Sequence, residues 1–260
     1  MTSPKDSDAR YALCVQNVSL GYGDRMILED INFCVRYGQI VTILGESGCG
    51  KSTLLKGLLG LLQPARGRFE FYGKDISDSN PEGSYDWVRK RTGVLFQSGA
   101  LIGSLSLAEN VALPIREFSN IPGEIVEEIV GLKLEMVKLG GYGKYYPAEL
   151  SGGMKKRAGL ARALALDPKI LFCDEPTGGL DPVISAEMDD LLLELNHILD
   201  ITMIVITHDL PTIMAISDWS IMIDAQARGI VAAGPPREMA NSPDPRVRGF
   251  FNRQPPYPNV

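Results

Sequence analysis

Short apolar segments alternate with amphipathic helical segments along most of the chain. Residues 15–20 and 31–36 alternate apolar and polar positions, as half-buried strands do, and Glu29 and Asp30 indicate a turn between them. Other segments are uninterrupted apolar runs, which are typical of strands buried on both faces. These runs are residues 39–44, 93–96, 170–173 and 203–207. Residues 68–72 alternate again, and residues 219–224 and 229–234 are predicted closing strands.

Helical periodicity fills the intervals between these strands. A Leu-rich helical segment covers residues 52–61, a mostly helical stretch covers residues 106–139, and another helix begins near Ser151. Asp181 is a predicted N-cap, and Pro182 suits the first turn of the helix that follows it. Buried strands that alternate with helices predict an α/β fold with a mainly parallel core sheet and an inserted α-helical subdomain.

The composition and charge are those of an ordinary globular protein. Of the 260 residues, 45% are hydrophobic and 22% are charged, and this length suits one large domain or two small ones. The 26 basic and 32 acidic side chains give a net charge of −6, so the chain lacks the basic surface that nucleic-acid binding usually requires. We therefore expect no nucleic acid among its partners.

The sequence carries no pattern typical of a membrane span or an export signal. No apolar stretch approaches the roughly 20 residues that cross a bilayer, and the first ten residues are polar. Cys14, Cys34, Cys49 and Cys173 are scattered without paired spacing, so we expect buried thiols in a reducing compartment. These features predict a cytoplasmic protein that reaches a membrane only through a partner.

Residues 45–52 fit the pattern GxxxxGK[ST], between a predicted buried strand and a predicted helix. The glycines let backbone N–H groups surround phosphate oxygens at the N-terminus of the helix. Lys51 would reach the β- and γ-phosphates, and Ser52 would offer its hydroxyl to Mg²⁺. The competing interpretation is a glycine-rich turn with no ligand, and the flanking strand and helix argue against it. The pattern predicts a nucleoside triphosphate site.

Two acids follow the predicted strand 170–173. Because parallel strands end at one edge of a sheet, Asp174 and Glu175 are expected to face the phosphate loop. Asp174 suits Mg²⁺, partly through water, and Glu175 is placed to orient or deprotonate an attacking water. His208 follows another strand, where contact with the γ-phosphate competes with a purely structural hydrogen bond, and His197 is a predicted surface residue.

A second potential anion site begins at Ser151, which can cap the helix that follows. The glycines at positions 152 and 153 leave backbone N–H groups accessible, whereas the lysines and arginines of this helix alone would indicate a solvated face. Because residues 45–52 are already predicted to bind one nucleotide in the same chain, this second anion site has no obvious ligand of its own. A head-to-tail dimer resolves this, since residues 151–153 would close on the ATP of the partner.

With these motifs in place, the sequence resembles the ATP-binding cassette ATPases over nearly the whole chain. In that family the residue at Tyr22 stacks on adenine, the glutamine at Gln97 links the metal site to the helical subdomain, and His208 is the switch histidine. Residues 151–154 match the signature motif and residues 179–181 the D-loop. The resemblance implies an ATPase with the P-loop NTPase fold, an antiparallel β subdomain and bound ATP and Mg²⁺.

The resemblance also assigns roles and boundaries. It implies a core of about residues 1–97 and 165–234, a helical subdomain of about 98–164 and a C-terminal tail of about 235–260. The implied catalytic residues are Glu175, His208, Lys51 and Gln97, and the implied metal ligands are Ser52, Gln97 and Asp174. The implied nucleotide-binding residues are Tyr22, Gly45, Glu46, Ser47, Gly48, Cys49, Gly50, Lys51, Ser52, Thr53, Ser151, Gly152, Gly153 and Asp181.

One branch of the family is similar in further detail, beginning with Met154 in place of the usual signature glutamine. Residues 96–101, 109–114, 150–157 and 244–248 resemble the branch that serves Mla and Mce lipid transporters. This resemblance implies phospholipid transport linked to outer-membrane lipid asymmetry, powered through an integral membrane permease. It further implies an Mce-type lipid-binding protein, a STAS-domain protein and a peripheral position on the cytoplasmic face of the inner membrane.

Two alternatives stay open beside this function. One keeps the ATPase and changes the cargo to an amino acid, a metal chelate or a lipoprotein. The other is a soluble cassette protein that acts on DNA, ribosomes or cofactor assembly, against which the acidic charge and the single cassette argue. Near the C-terminus, Phe250 and Phe251 suggest that the tail packs between paired cassettes.

Overall fold

The computed structural model describes residues 11–76 and 81–252. The chain divides into two compact units. The first comprises the described residues of Met1–Val88 and Ile204–Val260, and the second comprises Arg89–Met203. Among the described residues, no helix combines the length and the apolar character that a membrane span needs.

The described residues form ten strands and nine α-helices. The strands are β1 (Tyr11–Tyr22), β2 (Arg25–Arg36), β3 (Ile40–Leu44), β4 (Arg66–Phe71), β5 (Lys74–Asp75), β6 (Thr92–Leu95), β7 (Ile170–Asp174), β8 (Thr202–Ile206), β9 (Trp219–Asp224) and β10 (Gly229–Gly234). The helices are α1 (Lys51–Leu58), α2 (Pro81–Arg89), α3 (Leu107–Phe118), α4 (Gly123–Met136), α5 (Gly152–Ala163), α6 (Pro182–Leu199), α7 (Leu210–Ile216), α8 (Pro236–Met239) and α9 (Pro245–Phe251).

A four-stranded antiparallel sheet in the first unit has the strand order β2-β1-β4-β5. The turn predicted at Glu29–Asp30 is wrong, because β2 continues through both residues and the chain reverses just before Arg25, which pairs with Tyr22. The two acids instead lie where the register of β1 and β2 shifts, and Asp30 has a φ of 52°. Aspartate tolerates this left-handed conformation better than most residues, which explains a polar pair inside a strand.

The pairing of β1 with β2 also corrects the expectation of four free thiols. Cys14 lies directly opposite Cys34, with 4.1 Å between their Cα atoms, and the two form a disulfide. Cys49 and Cys173 are free and buried, as expected. The 20-residue separation of the bonded pair carries no recognisable spacing, since the register of two strands brings the cysteines together. The cysteine argument for a reducing compartment therefore does not apply to this pair.

A six-stranded sheet has the order β10-β9-β3-β8-β7-β6. In the first unit, β3 runs parallel to β9, which pairs with β10 in the antiparallel sense. In the second unit, β6 runs parallel to β7. Every residue of β3 and β8 is buried, as their continuous apolar sequences predict. The predicted α/β class with a mainly parallel core sheet is confirmed.

The second unit contains the helices that the sequence predicted between residues 106 and 163. Ser106 begins α3 with a capping box, in which its hydroxyl accepts from the Glu109 N–H and the Glu109 carboxylate accepts from the Ser106 N–H. Asn110 is fully buried, and its amide group bonds to backbone atoms of residues 102–106. This polar anchor fixes the loop that leads from β6 into the helices.

The C-terminal helices α8 and α9 pack within the first unit. Met239 and Val247 join a buried cluster that contains Leu44 at the end of β3. Phe250 and Phe251 are partly buried against the same cluster, so packing within their own chain accounts for part of both rings, and packing between paired cassettes stays a prediction. Residues 253–260 of the predicted tail lie outside the described residues.

Candidate nucleotide-binding site

The loop between β3 and α1 contains three glycines with positive φ. Gly45, Gly48 and Gly50 have φ values of 147°, 82° and 111°, which side-chain-bearing residues rarely adopt. A Cβ atom at Gly45 would lie 2.2 Å from the carbonyl oxygen of Ile223, so only glycine fits there. Because Gly50 has no side chain, the first N–H groups of α1 receive no side-chain cap. Uncapped N–H groups at a helix N-terminus are suited to bind an anion.

The Lys51 side chain folds back over this loop. Its Nζ atom donates to the carbonyl oxygens of Gly45 at 2.7 Å and Glu46 at 2.9 Å, and it lies 3.8 Å from Cys49 Sγ. Burial raises the pKa of the Cys49 thiol, and the positive charge of Lys51 partly opposes that rise. The ammonium group thus stands among the loop atoms, next to the helix end that would hold phosphate.

Tyr22 lies at the end of β1 and is about half exposed, as an aromatic side chain that receives a ligand ring must be. Lys56, one turn into α1, donates to the Tyr22 hydroxyl at 3.4 Å and lies 5.7 Å from the ring centroid. This cation–π contact connects the tyrosine to the helix that follows the phosphate loop.

His208 is exposed on the segment between β8 and α7. The preceding residue, Thr207, donates from its backbone N–H to the carbonyl of Ile43, so the end of β8 lies beside the end of β3. Asp209 caps α7 by accepting from the Thr212 N–H, which confirms its predicted helix-entry position. His197 is exposed near the end of α6, as predicted.

In the second unit, Asp174 ends β7 and Glu175 begins the turn that follows. Asp174 is half-buried and Glu175 is buried with a φ of 49°. The Glu175 carbonyl accepts from the Gly178 N–H at 3.1 Å and from Lys156 Nζ at 2.6 Å. Two donors therefore hold one carbonyl of a residue in an uncommon backbone conformation.

Ser151 begins α5, and its hydroxyl accepts from the Met154 N–H, which confirms the predicted cap. Gly152 is exposed, whereas Gly153 is buried so closely that a Cβ atom would lie 2.7 Å from Ile184 Cγ2 on α6. Asp181 caps α6, because its carboxylate accepts hydrogen bonds from the N–H groups of Val183 and Ile184. The signature and D-loop residues thus begin two helices that contact each other.

Gln97 is exposed in the turn that follows β6, where the Gly99 N–H bonds to the Phe96 carbonyl. Arg162 on α5 donates to the carbonyls of Gly99 and Ala100, at 2.9 and 2.7 Å. A Cβ atom at Gly159 would lie 2.9 Å from Gly99, so α5 packs tightly against this turn. The helix that begins at the signature motif therefore also supports the Gln97 segment.

The lysines and arginines of α5 are the feature that sequence reasoning misjudged. The pattern alone indicated a solvated face, yet Lys156 is only 5% exposed and bonds to Glu175. Burial lowers the pKa of Lys156, and the nearby carboxylates of Glu175 and Asp174 counteract this shift. Only Gly153 and Leu160, three residues before and four residues after Lys156, hint at burial of this face through helical spacing.

The predicted residues thus fall into two groups, one in each unit. The phosphate loop, Tyr22 and His208 belong to the first unit, and Gln97, Asp174, Glu175 and the signature residues belong to the second. Within the described residues, no three His, Cys, Asp or Glu side chains form a cluster that could hold a metal by themselves. Any Mg²⁺ would need other oxygen donors, of which hydroxyl, amide and phosphate oxygens are the common ones.

Known proteins are similar to this chain in sequence. The family model described as ABC transporter matches residues 28–178. The intermembrane phospholipid transport system ATP-binding protein MlaF of Haemophilus influenzae is 43% identical over 91% of this chain and 89% of its own length. The probable ribonucleotide transport ATP-binding protein mkl of Mycobacterium leprae is 41% identical over 93% of this chain and 69% of its own length.

A solved structure is similar in fold. The dimeric ATP-binding cassette MJ0796, bound to ADP and Pi in a post-hydrolysis state, superposes with a TM-score of 0.77 and 28% identity. The match covers 86% of this chain and 98% of that one. The phosphate loop, the two acids at the end of β7 and the start of the next turn, and the capped signature helix occur in a chain of which more than half matches the family model. The chain belongs to the ABC transporter family and is a nucleotide-binding ATPase with the ABC ATPase fold.

Proposed function

We propose that this chain powers phospholipid transport, linked to outer-membrane lipid asymmetry, through a partner permease. The observation that carries the proposal is the 43% identity to MlaF, which extends over nearly the full length of both chains. The similarity to mkl favours ribonucleotide cargo as the second candidate, over a smaller share of that protein. Within the ABC ATPase family, the cargo is thus the part of the function that needs an experiment.

ATP would bind at the loop between β3 and α1, with adenine on Tyr22. The positive-φ glycines and the uncapped start of α1 support phosphate binding there. Lys51, already held over the loop, would contact the terminal phosphates. The proposed nucleotide contacts are Tyr22, Gly45, Glu46, Ser47, Gly48, Cys49, Gly50, Lys51, Ser52 and Thr53, with Ser151, Gly152, Gly153 and Asp181 from the second copy.

Hydrolysis would use Glu175 to orient or deprotonate water, with His208 and Lys51 at the γ-phosphate. Ser52, Gln97 and Asp174 would hold Mg²⁺, and their oxygen atoms are the donor type that this ion prefers. Ser52 is exposed beside Lys51, and Asp174 is half-buried at the end of β7, so both oxygens are accessible. When bound, the ion would neutralise part of the phosphate charge.

The functional unit would be a head-to-tail dimer. The similar cassette MJ0796 is dimeric, which supports a dimer of this chain, and the head-to-tail orientation is part of the proposal. Ser151 and the exposed Gly152 would close on the ATP of the second copy. Binding would favour the closed dimer, and hydrolysis would release it, so the work is a population shift between two states.

The chain would have a core of about residues 1–97 and 165–234 and a helical subdomain of about 98–164. The permease would contact the helical subdomain, where Phe118, Ile121 and Ile125 are exposed near the junction of α3 and α4. Exposed apolar side chains in such proximity are typical of a protein interface. Gln97 and the turn after it would transmit the state of the metal site to that surface.

The complex would include an Mce-type lipid-binding protein and a STAS-domain protein, at the cytoplasmic face of the inner membrane. Purification of the native complex in mild detergent, followed by mass spectrometry of proteins and lipids, tests this composition. We expect a multispanning permease, an Mce-type protein and phospholipid to be enriched with the tagged chain. The control is the same purification from cells that express the affinity tag alone. The Glu175→Gln chain, which would retain ATP, should hold the complex together for longer.

Other outcomes would overturn specific parts of the proposal. A different permease, with ribonucleotides or another ligand, would reject the phospholipid cargo and keep the ATPase. Recovery of soluble partners alone, in detergent that preserves a known membrane complex, would reject the transporter and favour a cassette protein of soluble function.

A further inference from the structure

Lys156 is a buried lysine whose contact lies beside the proposed catalytic acid. It is 5% exposed in the middle of α5, and its Nζ atom donates to the Glu175 carbonyl at 2.6 Å. A lysine so far removed from water loses much of its hydration, so its position must be supported by nearby oxygens and negative charge. The carboxylates of Asp174 and Glu175 supply that charge.

The contact acts on a backbone that needs support. Glu175 has a φ of 49°, which lies in the left-handed region that residues other than Gly, Asn and Asp seldom adopt. Such a conformation persists where surrounding contacts hold it. The Gly178 N–H, at 3.1 Å, holds the Glu175 carbonyl from within the same turn, whereas Lys156 holds it from a different helix. The direction of the Glu175 side chain follows from this backbone.

We propose that Lys156 is a positioning residue for ATP hydrolysis, which fixes the backbone of Glu175 from the helix that begins at the signature motif. This inference rests on the proposed role of Glu175. Because α5 begins next to Ser151, a displacement of this helix when the dimer closes would be transmitted to Glu175 through the hydrogen bond from Lys156. The arrangement connects the contact with the ATP of the second copy to the acid that acts in the chain's own site.

If Lys156 had a purely structural role, replacing another buried lysine of the same unit should reduce kcat to a similar extent. Lys133 on α4 is 7% exposed and pairs with Asp167, which precedes β7. Its contact is therefore near the N-terminal end of the strand, whereas that of Lys156 is at the C-terminal end. Substituting Lys133 removes a buried lysine from the same unit without touching Glu175, so Lys133→Met is a matched control.

The test is a double-mutant cycle between Lys156→Met and Glu175→Gln in the full chain, with ATP as the probe. ATP binding, steady-state hydrolysis and single-turnover hydrolysis are measured for both single variants, the double variant and Lys133→Met. We expect Lys156→Met to bind ATP with near-normal affinity and unchanged KM and to lose roughly 10- to 100-fold in kcat, the cost of a misplaced catalytic group. In the Glu175→Gln background, the same substitution should change the single-turnover rate less than about twofold.

Three results would overturn the positioning role. They are a folded Lys156→Met chain with normal kcat, an equal loss of kcat in Lys133→Met, and a Lys156→Met effect of undiminished size in the Glu175→Gln background. Normal hydrolysis by Glu175→Gln would instead reject the role proposed for Glu175 itself, which separates the two failures. If Lys156→Met does not fold, Lys156→Leu also removes the N–H donor to the Glu175 carbonyl and is judged by the same comparisons.

Discussion

Lys51 donates a hydrogen bond from Nζ to the carbonyl oxygen of Gly45, at 2.7 Å, across the loop that both residues delimit. A second bond to the Glu46 carbonyl keeps the long side chain in one conformation. Ordering a free lysine side chain costs up to about 2 kcal/mol, so a lysine that is already held loses less entropy when a phosphate arrives. The carbonyl groups of the loop thus hold Lys51 in the position from which it is proposed to contact phosphate.

Replacing Lys51 by alanine should weaken ATP binding by about 10- to 100-fold, since a hydrogen bond to a charged group contributes about 1.5–3 kcal/mol. Titration calorimetry with ATP measures the change. Lys138→Ala, which removes an exposed lysine from the other unit, is the control and should bind ATP normally. Equal affinity of the Lys51→Ala and unmodified chains would contradict a phosphate contact for Lys51.

Glu175→Gln should retain ATP binding and lose roughly 10²- to 10⁴-fold in turnover, because an amide cannot accept the proton of an attacking water. Phosphate release and ATP affinity are measured on the same samples. Glu194→Gln makes the same chemical change on the exposed side of α6 and should leave turnover unaltered. Near-normal hydrolysis by Glu175→Gln would remove this residue from the proton transfer.

The parts of the fold that the sequence predicts are those set by local pattern. β9 and β10 coincide with the strands predicted at residues 219–224 and 229–234, and Asp181 and Ser151 cap the helices that follow them. The phosphate loop is recognisable because its glycines and lysine lie within eight residues of one another. Local chemistry of this kind leaves a signal in a single sequence.

The features that sequence reasoning missed depend on contacts between distant residues. The bond between Lys156 and Glu175 joins positions 19 apart, and the adjacent basic residues usually indicate a solvated face. Cys14 lies opposite Cys34 because of the register in which β1 and β2 pair. The turn predicted at Glu29–Asp30 would have given these strands a different register. Pairing register and helix packing are tertiary properties, so the spacing of residues along the chain does not reveal them.

Mixing Lys51→Ala chains with Ser151→Arg chains tests whether the two halves of each ATP site come from different copies. In a head-to-tail mixed dimer, one site contains both altered motifs and the other contains neither. We expect each variant alone to fail in ATP-induced dimerisation, measured by light scattering, and the mixture to recover a dimer with one intact site. Absence of a dimer in the mixture, with both variants folded, would contradict sites shared between copies.

The disulfide between Cys14 and Cys34 predicts a redox-dependent stability. In the chain-entropy description, a bond that closes a loop of this size stabilises the fold by about 3 kcal/mol. At roughly 2–4 °C per kcal/mol for a chain of this size, reduction should lower Tm by about 6–12 °C. The Cys14→Ser/Cys34→Ser double variant is the control, because its Tm should not respond to reductant. Thiol labelling in denaturant should find two reactive cysteines before reduction, Cys49 and Cys173, and all four after it. Four reactive cysteines before reduction, in protein purified without reductant, would show that the bond does not form.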